Sequence, residues 1–144
     1  MTRAYLSLGS NVGNRLENLG RALQLLESHS QIFVEAKSKI YETQSVENGG
    51  DEDFLNAALR VSTLLSAREV LEIIRAIEGN IGRPLPPRHG PRLIDIDILI
   101  FGDEVWNDED LKIPHPRMAQ RAFMLKPLID VLAGGWVNDT QLDW

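Results

Sequence analysis

Asp95 and Asp97 stand two residues apart in the apolar run LIDIDILIF (93–101), and Arg83, Arg88 and Arg92 precede them in GRPLPPRHGPR (82–92). The branched apolar residues around the acids read as a strand. On a strand, residues two apart share a side, so both carboxylates point the same way from backbone positions about 6.5–7 Å apart. Like charges at that range raise one pKa or demand a cation. Magnesium takes oxygen ligands, commonly one or two carboxylates completed by water and substrate phosphate. Arginine suits the phosphate itself, through paired N–H groups. The pattern therefore fits a magnesium–phosphate site. It also fits two ordinary acids on the open side of an antiparallel sheet. In a chain with excess acid, the neighbouring arginines favour the first reading.

Other candidates are weaker alone. LGSNVGNR (8–15) places spaced glycines ahead of a helix and could hold an anion at that helix start, but a plain tight turn explains it as well. His115 lies between Pro114 and Pro116, as a turn residue would. Glu78 closes a helix or reaches a site, and Phe123 reads first as a core aromatic. The acidic run 103–110 reads as a solvated turn, and the three tryptophans carry no functional signal.

The whole chain sets bounds. Its 144 residues fit one domain, 1–144, with a real core, and 43% hydrophobic with 25% charged residues is ordinary for a globular protein. The absence of cysteine excludes disulfides and thiolate metal sites and fits a reducing cytoplasm. No apolar run matches a signal peptide or a membrane span. A net charge of −6 argues against a nucleic-acid-binding surface. No protein partner is evident.

The elements that must position the acids follow from periodicity. AYLSLG (4–9) alternates as a strand. Asn14 and Glu17 cap a helix over about 15–28 with Leu16, Leu19, Leu23 and Leu26 on one stripe. IFVEAKSKIYET (32–43) and FLNAALRVST (54–63) alternate again. Ser66 and Glu69 cap a second helix striped by Val70, Ile73, Ile74 and Ile77. The acid strand is 93–101, and a last helix starts near 117. The polar stretches 44–53 and 79–92 are long loops. The order β-α-β-β-α-β predicts an α+β, ferredoxin-like sandwich: an antiparallel sheet, both main helices on one face, and a C-terminal extension. Leu6, Leu8, Leu55, Leu59, Ile94, Ile96, Ile98 and Ile100 should face the helices. Phe54, Asn56, Asp95 and Asp97 should share the opposite, open face.

Four motifs in order, YLSLGSNVGNR, YET with FLNAAL, RHGPRLIDIDILIFG and IPHPRMAQRAFMLKPL, resemble the 6-hydroxymethyl-7,8-dihydropterin pyrophosphokinase family across nearly the whole chain. The resemblance implies transfer of pyrophosphate from ATP to the pterin hydroxymethyl oxygen, with release of AMP, in folate biosynthesis. It implies two Mg2+ ions on Asp95 and Asp97, with Arg83 and Arg92 beside them as catalytic grips on the triphosphate. ATP would also meet Glu78, Arg88, His115 and Arg121. The pterin would meet Thr43 through its backbone, Phe54 and Phe123 as a stacking pair, Asn56 as the edge reader, and Asp95. His89 and Pro116 stand where the family commonly carries aromatics. The loops 44–53 and 79–92 would close as lids. Two other classes compete. An RNA-binding or regulatory ferredoxin-like module would want a basic, aromatic open face. A metal-dependent phosphohydrolase would release phosphate from ATP without pterin.

Overall fold

The computed structural model describes residues 1–43, 53–82, 93–132 and 144. The chain runs β1 (Thr2–Ser10), α1 (Arg15–Glu27), β2 (Ile32–Lys37), β3 (Tyr41–Thr43), β4 (Phe54–Thr63), α2 (Ala67–Ile81) and β5 (Asp95–Phe101). A two-strand ribbon, β6 (Trp106–Asn107) with β7 (Lys112–Ile113), and α3 (Ala122–Leu132) follow among the described residues. The expected ferredoxin-like order is present, with the second strand split into β2 and β3. Strand order is β2-β4-β1-β5, all antiparallel, and β3 pairs with the other end of β4.

Local chemistry sets the ends of these elements. The Asn14 side chain accepts from the Glu17 N–H at 3.1 Å to start α1. Gly13, at φ +70°, supplies the left-handed turn before it. Ser66 and Glu69 exchange both bonds of a capping box at α2. The split between β2 and β3 has a side-chain cause. Ser38 Oγ accepts the Ala58 N–H at 2.8 Å, taking over from the backbone ladder.

One core lies between the sheet and the α1–α2 layer, built on Leu6, Leu8, Leu59, Val61, Ile96 and Ile98 with Leu19, Leu26, Val70 and Ile74. The other face departs from expectation. The apolar side of α3 (Met124, Leu128, Val131) packs on Ala36, Ala58 and Leu99, so half of the face expected to be open is covered. Arg60 donates to the Val131 carbonyl at 2.9 Å, and Asp130 accepts from the Tyr41 hydroxyl at 2.8 Å. Burial and the adjacent Asp130 push the Tyr41 phenol up to about 12. Ile100 is a second correction. The β1–β5 register shifts between Tyr5 and Leu6, pairing Leu6 with Ile98 and Tyr5 with Ile100. The bulge turns Leu99 and Ile100 together toward α3, away from α1 and α2, where Ile100 was expected.

Candidate active site

β1 is the central strand on which the site is assembled. Gly9 pairs with Asn56 of β4 on one side and with Asp95 of β5 on the other. Ser7 pairs likewise with Ala58 and Asp97. A carboxamide, a bare backbone and a carboxylate thus form one row across three strands. Asn56 and Asp95 are about 10 Å apart at the backbone, two inter-strand spacings. A side chain at the middle would crowd the row: a Cβ there would lie 3.1 Å from Asn56 Oδ1 and 3.8 Å from Phe54 Cδ1. The row lies on the face opposite α1 and α2, in the half that α3 leaves open, as period-two alternation predicts.

Asn56 is only 3% exposed, and its Nδ2 donates to Thr43 Oγ1 at 2.8 Å. That bond fixes the amide plane and leaves one N–H and the oxygen to present to a ligand edge. Thr43 thus orients Asn56 through its side chain, where a backbone contact to the pterin was expected of it. Asp95 and Asp97 are half-buried on the shared face. Among the described residues no group of three or more His, Asp or Glu side chains forms a metal cluster. The pair is an oxygen-only donor set of two, which suits magnesium when phosphate and water complete its six positions.

Glu78, expected at the ATP site, is bonded within the fold. It is 5% exposed, and its Oε2 accepts the Ile96 N–H at 3.0 Å, on the backbone between the two aspartates. Among the described residues β5 pairs only with β1, so this bond satisfies a donor on an edge strand. The glutamate ties α2 to the acid strand.

A groove of about 230 Å³ runs from Asp97 along the β5 edge, walled by Leu71, Ile98, Leu111, Lys112, His115 and Pro116, with Glu109 and Asp110 at its rim. Leu71, Leu111 and Lys112 carried no signal in the sequence, and Ile98 read simply as core. They meet because the β6–β7 ribbon folds back on α2. Arg68 reaches Asp108 at 2.6 Å and Asp110 at 2.8 Å and lies 5.5 Å over the Trp106 ring. His115 is held by its own N–H on the Leu99 carbonyl at 2.9 Å, while its Nδ1 accepts the Arg117 N–H at 3.2 Å. Burial, then Arg121 and Arg117, push its pKa below the usual histidine value. The neutral ring carries its proton on Nε2, a donor for an acceptor in the groove.

Arg121 lies 5.4 Å over the Phe123 ring, and Phe123 packs against the cluster beneath α3. Phe54 and Phe123 are both half-buried. Of the LGSNVGNR segment, Leu8, Gly9 and Ser10 end β1, residues 11–14 form the turn, and Arg15 starts α1. Arg83, Arg88 and Arg92, with His89 and most of both expected lids, lie outside the described residues. Arg15 joins the flanks of the first lid segment, meeting Glu42 at 2.8 Å and the Asp53 carbonyl at 2.6 Å.

The chain is similar to proteins of known function. The family model described as 7,8-dihydro-6-hydroxymethylpterin-pyrophosphokinase (HPPK) matches residues 5–133. The 2-amino-4-hydroxy-6-hydroxymethyldihydropteridine pyrophosphokinase of Bacillus subtilis is 43% identical over 128 residues, 89% of this chain and 77% of its own length. The bifunctional protein FolKE of Lactococcus lactis is 40% identical over 92% of this chain. The mitochondrial folate synthesis bifunctional protein of Arabidopsis thaliana is 41% identical over 96%. The chain spans only 38% and 25% of those two proteins. In fold, it superposes on a Plasmodium falciparum HPPK-DHPS crystal structure with TM-score 0.70 at 19% identity, covering 96% of this chain and 41% of that one.

Proposed function

The chain belongs to the HPPK family and is a pyrophosphokinase of folate biosynthesis, and from that premise we propose how its residues divide the reaction. ATP is the donor and 6-hydroxymethyl-7,8-dihydropterin the acceptor. The hydroxymethyl oxygen attacks the β-phosphorus. A new C–O–P bond forms, the bond from the β-phosphorus to the α–β bridging oxygen breaks, AMP leaves with that oxygen, and the hydroxyl proton passes to solvent. Asn56 reads the heterocycle's polar edge while Phe54 and Phe123 hold its faces. Asp95 and Asp97 would hold two magnesium ions, which when bound would neutralise the phosphate charge. The groove beside Asp97 takes the nucleoside against Leu71, Ile98 and Leu111. His115 Nε2–H and Arg121 meet nucleotide oxygens, and Arg83, Arg88 and Arg92 grip the triphosphate. No general base is required, because positioning and charge carry this class of transfer. Residues 1–144 act as one pyrophosphokinase domain. Among the described residues no helix is long and apolar enough to cross a membrane, and the cysteine-free composition supports work in the cytoplasm.

The observation that carries this reading is the row Asn56–Gly9–Asp95, which sets an edge-reading amide across one strand from the metal acids. The test is one incubation of ATP, magnesium and the pterin. AMP that appears only with pterin present is expected. ADP or orthophosphate as the product would reject the reading and point to a phosphohydrolase.

A further inference from the structure

The backbone ladder between β1 and β5 ends at Gly9 and Asp95, so the first metal acid is the terminal residue of its strand. Strand ends fray unless something else holds them. Here side chains continue where the ladder stops. Ser10, 1% exposed at the end of β1, donates from Oγ to the Leu93 carbonyl at 2.6 Å. Asn18, on the first turns of α1, donates from Nδ2 to the same carbonyl at 3.1 Å, to Ser10 Oγ at 3.1 Å and to the Val12 carbonyl at 3.0 Å. The Leu93 side chain is confined as well. A Cβ on Gly82 would lie 2.9 Å from its Cδ1, and one on Gly13 would lie 3.7 Å from its Cδ2. The residue two before Asp95 is therefore held at its carbonyl and its side chain by β1, α1 and the end of α2.

We propose that Asn18 and Ser10 are positioning residues for the acid pair: their joint grip on the Leu93 carbonyl sets the line on which β5 enters the sheet, and so the aim of Asp95 and Asp97. This rests on the assignment of those aspartates to metal and triphosphate. A carbonyl bound by two side-chain donors from elements some 75 and 83 positions away in sequence is a long-range tie. A loop stabiliser would need only the local bond to Val12. Outer partners that orient metal ligands change metal affinity when removed, by about 10–100-fold.

Asn18→Asp keeps the size and removes the donors. Mn2+ binding, followed by electron spin resonance with a non-hydrolysable ATP analogue present, should weaken about 10–100-fold. Amide exchange at Ile96 should quicken, and the apparent pterin KM should stay unchanged while kcat falls. A variant that melts earlier yet binds Mn2+ as the parent does, measured well below its melting point, would overturn the proposal. Should Asn18→Asp fail to fold, the pair Ser10→Ala and Ser10→Thr decides. Weaker Mn2+ binding in the alanine variant, restored by threonine, supports the clamp, and equal binding in both rejects it. Asp95→Asn and Asp97→Asn serve as controls. Unchanged Mn2+ binding in both would remove the metal assignment and the proposal with it. Loss there, with full binding in the Asn18 and Ser10 variants, would remove the clamp alone.

Discussion

The two halves of one sheet face have opposite fates. Toward the start of β5, Asp95 and Asp97 face outward beside Asn56 and Gly9. Toward its end, Leu99 and Ile100 lie beneath α3 with Met124 and Leu128. The strands are the same, and only the side chains and the cover differ. The covered half anchors the C-terminal helix, and the open half keeps a floor of backbone on which charged groups can work. Chemistry and stability are thus separated by a few residues along the same strands.

Substitutions should fall out along that division. The largest effect belongs to the open half. Asp97→Ala or Asp95→Ala should lower turnover by about 10³-fold or more, since each would remove a proposed metal ligand worth several kcal/mol of charge stabilisation. Thermal melting should hardly move, and a large drop in melting temperature would blur the division. Leu99→Ala is the counterpart beneath α3. It should cost about 2–5 kcal/mol in urea unfolding through the cavity it leaves, while turnover per folded molecule is retained. Asn56→Ala tests the row itself. Pterin binding measured by calorimetry should weaken by about 1–3 kcal/mol, with ATP binding unaffected. Equal losses for both ligands would mean that the amide serves the sheet and not the heterocycle.

The smallest effect is a pH slope. The folded state holds His115 below its usual pKa, so the unfolded chain takes up the proton first. Stability from this group is complete above the ordinary value near 6.5 and declines as pH falls through the window between that value and the folded one. Urea midpoints at about pH 7.5 and about pH 5.5 should differ less in His115→Gln than in the parent. An unchanged difference would show that other groups set the slope.

Much of the open half was legible because strand parity is strict: Phe54, Asn56, Asp95 and Asp97 fall on one side by counting in twos. Both helices were legible from their caps and stripes; α1 ends within a residue of expectation, while α2 runs to Ile81, three residues into the stretch expected as a loop. What escaped depended on contacts across long sequence distances. The covering α3 could not be placed from its own sequence, and it begins at Ala122 rather than near 117, after a short 3-10 turn over Met118–Gln120. The break after Lys37 comes from a serine hydroxyl standing in for a backbone acceptor. Glu78 has the composition of a site residue and the burial of a strut. Nothing in the sequence marks Asn18, and Ser10 falls in the expected tight turn; their bonds to the Leu93 carbonyl cross more than seventy positions.

The bulge at Leu99 has a consequence for tolerance to change. One surplus residue resets which way every later side chain points, so the apolar tail of the strand can serve α3 while Phe101 returns to the main core opposite Ala4. Deleting that residue would leave a regular ladder, with Ile100 still opposite Tyr5 and Phe101 still opposite Ala4, and would remove only the Leu99 side chain from beneath α3. Asp95 and Asp97, lying before the reset, would keep their orientation.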